Sequence, residues 1–161
     1  MSKNETELAL RSDREIVITR MIDAPAAIVF DAWTKPEFVK RWWAPKSHGV
    51  ALSSCEAELG VGGSYRYVMR RDNGQEMAFS GRYTEFSPHS RLAYTQVFEP
   101  MRQMGETSVT VMFDDTEGRT AVTSVERYPS KQTREAVLAT GMEKGMRESM
   151  EQLENLAKEL R

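Results

Sequence analysis

The sequence is poor in the residues that build disulfides and metal centres. Its 161 residues include one cysteine, Cys55, and two histidines, His48 and His89. A single cysteine excludes an internal disulfide and a cysteine-based zinc cluster, and two histidines are too few for a histidine-rich metal centre. We therefore expect neither a metal nor any other cofactor.

Long apolar runs and a basic net charge are lacking as well. No apolar stretch approaches the roughly 18 residues that a transmembrane helix needs. The formal net charge of −2 supplies no positive field for nucleic acids. The first 13 residues are polar and lack the apolar core of a signal peptide. Together these absences predict a soluble, cytoplasmic protein with no membrane or nucleic-acid partner.

The length suits one domain. Residues 1–13 are charged and carry no partner motif, so we expect a disordered tail. Residues 14–161 are expected to form a single domain. Apolar residues make up 40% of the chain and charged residues 29%, which is typical of globular proteins. A domain of this size can bury enough surface to be stable without cross-links.

Hydrophobic periodicity divides this domain into strands and helices. β-Branched residues predict a first strand at 15–22, and apolar spacings of three and four predict two short helices around Trp33 and Trp42. The period then changes to two, and glycine and proline turns separate six strands. These are residues 48–58, 64–71, 77–86, 91–98, 107–113 and 120–128. A stripe of leucine and methionine predicts one long helix over 131–160.

This order of elements predicts an α+β fold. Seven strands joined by short turns favour a curved antiparallel sheet, one face of which must be covered. The C-terminal helix would be about 45 Å long at 1.5 Å per residue, enough to lie across the sheet and be gripped by it. The two short helices would close one end, and a cavity can remain between sheet and helix.

A set of short motifs spread over residues 15–160 resembles a known family. The motifs are Ile22-Asp23-Ala24-Pro25, Val29-Phe30, Ala32-Trp33-Thr34, Pro36-Glu37, Arg41-Trp42-Trp43, Pro45, Gly62-Gly63-Ser64-Tyr65-Arg66, Gly81-Arg82-Tyr83, Glu85, Pro88, Arg91-Leu92, residues 107–111, Gly118-Arg119-Thr120, Gly145-Met146 and Leu153. With them the chain resembles the START-like helix-grip superfamily, also called SRPBCC. Within that superfamily it resembles the bacterial branch related to the activator of the heat-shock-90 chaperone ATPase.

The resemblance implies the helix-grip fold for the single domain at 14–161. It implies less about function, because this fold serves binding proteins, cyclases and co-chaperones alike. One position departs from the pattern. Many members carry Gly-Trp in the last helix where this chain has Gly145-Met146, so the shape of a ligand is not carried over to that wall.

Aromatic and methionine side chains are the candidate ligand-binding residues. They lie on strand faces that we expect to look inward or on the apolar stripe of the last helix, and methionine adapts to ligands of irregular shape. Ordinary core packing is the alternative for each. The candidates are Trp42, Trp43, Tyr65, Tyr67, Met69, Phe79, Tyr83, Tyr94, Met112, Met142 and Met146.

No catalytic residue is assigned, but Glu126 and His48 are candidates if the protein is an enzyme. Glu126 lies in an alternating strand, and the pattern leaves open which face it occupies. An inward Glu126 would be a buried carboxylate in need of a cation, which Arg66 or Arg82 could supply. His48 follows the tryptophan pair and could act as a general base.

Three functions compete on this sequence. The first is binding of a small apolar or amphipathic molecule in the cavity. The alternatives are a cyclase, dehydratase or hydrolase that uses the same cavity, and a chaperone-associated interaction protein. The loop that carries Met101 and Met104 has three interpretations of its own: a lid over the cavity, burial under the long helix, or a contact in a homodimer.

Overall fold

A computed structural model describes residues 4–161. Within this range an eight-stranded antiparallel sheet is accompanied by four α-helices. The strands are β1 Glu7–Arg11, β2 Glu15–Ile22, β3 Val50–Ala57, β4 Ser64–Arg71, β5 Glu76–Ser87, β6 Arg91–Phe98, β7 Thr107–Thr116 and β8 Arg119–Arg127. The helices are α1 Ala26–Thr34, α2 Pro36–Trp42, α3 Lys131–Ala139 and α4 Met142–Leu160, with 3₁₀ helices at Lys46–His48 and Glu99–Met104.

The strand order across the sheet is β1-β2-β8-β7-β6-β5-β4-β3. Strands β3 to β8 form a meander in chain order. β2 pairs antiparallel with β8, the last strand of the meander, and β1 lies outside β2. One face of the sheet is buried. On β2 the inward residues alternate as Ile16, Ile18, Arg20 and Ile22. The predicted α+β helix-grip architecture is confirmed.

The sheet has one strand more than we predicted, because part of the expected tail is ordered. Glu7–Arg11 forms β1, which pairs antiparallel with β2. The expectation of disorder is therefore wrong for these residues. Their side chains gave little signal: Leu8 is half-buried and Leu10 is 52% exposed. Backbone pairing with β2, rather than burial, supports the strand. Residues 1–3 of the predicted tail lie outside the described residues.

The predicted C-terminal helix is also divided in two. Gly141 separates α3 from α4 and has a φ of 78°, in the left-handed region that glycine adopts without steric cost. Its N–H donates to the carbonyl of Leu138, which closes the last turn of α3. The expectation of one unbroken helix over 131–160 is therefore wrong, and α4 is the helix that the sheet grips.

The two short helices close one end of the sheet as predicted. The N–H of Ala26, at the start of α1, donates to the carboxylate of Asp115 near the end of β7, over 2.9 Å. The indole N–H of Trp42 donates to the carbonyl of Ala32 over 2.8 Å and joins α2 to α1. These bonds fix the helices over the end of the sheet, where α2 contacts the C-terminal half of α4 through Trp42 with Gln152 and Arg41 with Glu159.

Candidate functional site

A cavity of about 600 Å³ lies between the sheet and the N-terminal half of α4. Most of its wall is apolar or aromatic. These residues are Ile18, Trp33, Trp42, Trp43, Pro45, Val50, Met69, Met77, Phe79, Tyr94, Met142, Met146 and Met150. The polar residues of the wall are His48, Arg71, Gln96, Ser124, Glu126, Thr140, Lys144 and Ser149. Gly141 and Gly145 complete it on the helix side.

The segment between α2 and β3 forms one edge of the cavity. Ser149 donates its hydroxyl to the carbonyl of Trp43 over 3.0 Å, and the amide of Gln152 donates to the carbonyl of Ala44 over 2.8 Å. Pro45 and His48 then approach α4 at Gly145, where an added Cβ would lie 3.3 Å from Pro45 Cγ. A glycine at this position therefore gives the segment room to close against the helix.

Seven of the eleven residues predicted to bind ligand line this cavity. They are Trp42, Trp43, Met69, Phe79, Tyr94, Met142 and Met146. Strand alternation accounts for Met69, Phe79 and Tyr94, and helix spacing accounts for the two methionines. Their contact with a ligand stays a prediction.

Tyr65, Tyr67 and Tyr83 face inward but do not line the cavity. They pack on one another, with ring centroids 4.9 Å apart for Tyr65 and Tyr67 and 5.7 Å apart for Tyr65 and Tyr83. Trp43 lies 5.3 Å from the Tyr67 ring and covers this cluster. The recess that remains has a volume of about 10 Å³, enough for about one water. Aromatic packing, not alternation, removes these tyrosines from the cavity wall.

Met112 lies on the outer face of the sheet, so its expected place in the cavity wall is wrong. On β7 the buried residues are Val109, Val111 and Phe113, so Met112 points to the opposite side of the sheet from the helix. The cavity wall contains no Met112. Ser108, Thr110 and Asp114 share the face of Met112, so the alternation of this strand already indicates that Met112 lies outside.

Glu126 faces inward, at the inner end of the cavity wall. It pairs in register with the fully buried Ile16, and one carboxylate oxygen accepts the hydroxyl of Tyr128 over 2.9 Å. Burial raises the pKa of Glu126, and the hydrogen bond from Tyr128 opposes this only in part. The expected cations are wrong. Arg66 pairs with Glu99, and Arg82 lies 3.6 Å from Glu106, both on the outer face.

His48 lies at the rim rather than beside Glu126. It is exposed, and its ring lies 3.5 Å from the Cβ position of Gly145. Two other rim residues, Arg71 and Lys144, were not predicted. Arg71 continues the inward alternation of Tyr67 and Met69, so that pattern could have found it. No feature of the sequence distinguishes Lys144 from the other solvent-exposed lysines of the helices.

The loop with Met101 and Met104 does not cover the cavity. Its 3₁₀ helix packs on β5 and β6, and Met101 is 40% exposed. Neither methionine contributes to the cavity wall. The lid and the burial under the long helix are therefore wrong in this structure, and the dimer contact stays a prediction.

Two further features bear on the class of site. Over residues 4–161, no group of three His, Cys, Asp or Glu side chains is arranged to hold a metal ion. In the same range, no helix has both the length and the mean hydropathy of a bilayer-spanning segment.

A family match agrees with this architecture. The family described as "Activator of Hsp90 ATPase homolog 1-like protein" matches residues 23–158. The chain belongs to this family. The match begins at the turn after β2 and ends in the last turn of α4, so it includes every residue of the cavity wall except Ile18.

Solved structures of bacterial relatives have the same fold. A protein of Rhodobacter sphaeroides is 25% identical with a TM-score of 0.87, and the match covers 94% of this chain and 97% of that one. A protein of Arthrobacter aurescens is 25% identical with a TM-score of 0.84, over 95% and 91% of the two chains. An "AHSA1-like protein" of Aeromonas hydrophila, 21% identical with a TM-score of 0.68 over 91% and 93%, shares the fold. No curated protein matches the chain.

Proposed function

We propose that this member of the activator-like family binds a small apolar or amphipathic molecule between the sheet and α4. The observation that carries the proposal is the cavity of about 600 Å³ with a wall of aromatic and methionine side chains. Small-molecule sites have volumes of about 300–1,000 Å³ and similar walls. Water in such a space finds few hydrogen-bond partners, so an apolar ligand that displaces it is favoured.

The wall combines stiff and adaptable surfaces. Trp33, Trp42 and Trp43 are the three tryptophans of the chain, and all three contribute to it. Five of the ten methionines lie on the wall as well. Methionine has three rotatable bonds and a polarisable sulfur, so these side chains adjust to a ligand. The tryptophans give large contact areas at little cost in conformational entropy.

Native mass spectrometry of protein purified gently from its host tests whether a ligand is present. We expect an apolar or amphipathic compound at near-stoichiometric level, released on denaturation and identified by its mass. Protein stripped of ligand should then rebind this compound, with a change in tryptophan fluorescence because all three tryptophans line the cavity. A compound that rebinds without changing the fluorescence would place its site elsewhere.

Filling the cavity tests its location. Met146→Trp puts a large ring into the wall and should weaken binding of the identified compound at least tenfold. Asn155→Trp adds the same ring at an exposed position of α4 and serves as the matched control. Equal affinities of the two variants, both folded by circular dichroism, would contradict binding in this cavity.

One observation favours an enzyme as the second candidate. Glu126 presents a carboxyl group of raised pKa to the cavity, and a buried acid or base of this kind suits proton transfer. Residues on the wall that could assist are Tyr94 and, at the rim, His48. Incubation of the bound compound with wild type and with Glu126→Gln, followed by mass spectrometry, distinguishes the two functions. Turnover by the wild type alone would favour the enzyme.

Other expectations from the sequence remain predictions. A chaperone partner is suggested by the family description alone, and crosslinking with the heat-shock-90 chaperone from the same host tests it. A homodimer through the Met101 loop is tested by the mass in solution. A location in the cytoplasm is tested by cell fractionation.

A further inference from the structure

Three basic side chains from three elements converge at the rim of the cavity. Arg71 ends β4, His48 lies in the 3₁₀ helix before β3, and Lys144 lies in the first turn of α4. Arg71 pairs in register with Val50, two residues after His48. The His48 ring in turn lies 3.5 Å from the Cβ position of Gly145, the neighbour of Lys144. All three side chains are exposed, so the rim faces solvent with donor groups.

The carboxylates near this rim have partners of their own or lie off the wall. Glu148 accepts the N–H of Ser47 over 2.7 Å and also its hydroxyl, and Glu143 pairs with Arg147 over 2.9 Å. Asp72 lies against Gly49, outside the cavity wall. Within residues 4–161, neither Arg71 nor Lys144 forms an ion pair. Their charges remain available to a ligand.

The inner end of the wall has the opposite character. Glu126 is the one acidic residue of the wall within the described part of the chain. Tyr128 donates to one of its oxygens over 2.9 Å, and no other hydrogen bond to Glu126 is present between residues 4 and 161. The second oxygen can therefore take a donor from a ligand. Between Glu126 on β8 and Arg71 on β4, the intervening strands contribute Tyr94, Gln96, Met77 and Phe79 to the wall, so this stretch is mostly apolar.

We propose that the ligand is an anionic amphiphile, with its acidic group at the rim beside Arg71 and Lys144 and a hydrogen-bond donor at its inner end beside Glu126. This inference rests on the proposed function and specifies the chemical class of its ligand. The order of groups follows from the wall: cations outside, apolar surface between, an acceptor inside. A cationic headgroup would meet like charges at the rim, and a small anion without an apolar body would leave the wall uncovered.

A matched set of ten-carbon compounds tests both ends. Decanol has the apolar body alone, decanoate adds the anionic group, and ω-hydroxydecanoate adds a donor at the far end. Binding is followed by calorimetry and by tryptophan fluorescence. We expect decanoate to bind about fivefold more tightly than decanol, the size of an exposed ion-pair contribution. We expect ω-hydroxydecanoate to bind about fivefold more tightly again, the size of one net hydrogen bond.

Variants separate the two ends. Arg71→Gln combined with Lys144→Gln should abolish the preference for decanoate over decanol and keep the preference for the hydroxyl. Glu126→Leu should abolish the preference for ω-hydroxydecanoate over decanoate and keep the preference for decanoate over decanol. The control is Arg70→Gln combined with Lys131→Gln, which removes the same charge at exposed positions off the wall and should keep both preferences. If Glu126→Leu does not fold, Glu126→Gln should still reduce the hydroxyl preference, because the neutral amide is a weaker acceptor.

Other results of these binding experiments would overturn one end of the proposed ligand or the other. Equal binding of decanol and decanoate, or a preference that survives loss of both rim cations, would overturn the acidic group at the rim. Equal binding of decanoate and ω-hydroxydecanoate to the wild type would overturn the donor at Glu126. In both cases the proposed binding function would stand. If no compound of the set binds, this inference fails, while rebinding of the compound released from the native protein decides the proposed function separately.

Discussion

The two halves of α4 meet the sheet in different ways. In the C-terminal half, Leu153 and Ala157 are fully buried and Leu156 is 4% exposed. In the N-terminal half, Met142 and Met146 are only half-buried because they face the cavity. One helix therefore contributes core packing at one end and a binding wall at the other. Stability and ligand choice should be separable along it.

Two inward-facing carboxylates show the same contrast. Glu154, in the packed half, receives a bond of 2.7 Å from Arg20 on β2 and another from Asn4. Burial alone would raise its pKa, but the hydrogen bonds from Arg20 and Asn4 outweigh burial and hold the pKa below its ordinary value. Glu126, on the cavity wall, forms no ion pair within residues 4–161, and burial raises its pKa. A buried charge is satisfied where the helix packs and left available where the ligand would bind.

The largest expected effect comes from truncating a side chain in the packed half. Leu153→Ala should lower the free energy of unfolding by about 4 kcal/mol, because Leu153 is fully buried and a cavity would remain. Met146→Ala should cost less than about 1 kcal/mol, since its side chain already borders open space. Urea denaturation of both variants measures the difference. Equal losses would mean that the two halves do not differ in packing.

Breaking the buried ion pair should have the next largest effect. Glu154→Gln leaves Arg20 buried, at 8% side-chain exposure, without a counter-ion, and should cost about 3 kcal/mol. The lowered pKa of Glu154 means that the pair stabilises the wild type above the ordinary carboxyl pKa of 4.5 and is lost as pH falls through the folded pKa. The difference between wild type and variant in chemical denaturation should therefore shrink in acid.

Glu151→Gln is the matched control for this change. Glu151 lies on the same helix, is exposed, and should alter stability by less than about 0.5 kcal/mol. A gap between wild type and Glu154→Gln that stays constant from pH 7 down into acid would contradict the assignment to the ion pair.

Much of the fold could be predicted because its signals are local. β2, β4 and β6 begin and end at the predicted residues, since alternation and turn residues coincide there. β1 was not predicted, because Glu7–Arg11 contains helix-favouring residues and is stabilised as a strand by pairing with β2. Gly141 lies at the break before α4, but a glycine beside an apolar stripe is consistent with two interpretations. It can end a helix, or it can allow close packing within one continuous helix.

The residues of the cavity wall were harder to predict from the sequence. Strand alternation indicates the face of the sheet on which a side chain lies, but not which other side chains pack against it. It placed Tyr65 and Tyr67 inward correctly, yet only the three-dimensional packing of Trp43 on Tyr67 shows that they are covered. Likewise, alternation places Arg66 on the outer face opposite the tyrosines, but only the structure shows that it pairs there with Glu99. Contacts between distant strands decide both points.

A smaller effect of opposite sign is expected on the cavity side. Glu126→Gln should stabilise the empty protein at pH 8 by on the order of 1 kcal/mol, because it removes a buried ionisable group and can keep the bond to Tyr128. The raised pKa means that the wild type loses stability as pH rises from the ordinary value of 4.5 through the folded pKa, and the variant does not. Chemical denaturation from pH 4 to 8 should show a gap that widens with pH. A gap that widens in acid would contradict this.

The smallest expected effect is at the glycine where the rim segment meets α4. Gly145→Ala gains about 1 kcal/mol of helix propensity but places a Cβ 3.3 Å from Pro45 Cγ, a contact closer than most. We expect the two terms to cancel within about 0.5 kcal/mol. Gly141→Ala has open space around it but a φ of 78°, so it should lose about 1 kcal/mol. If Gly145→Ala were the more damaging in thermal melts, contact at the rim and not backbone conformation would control how α4 begins.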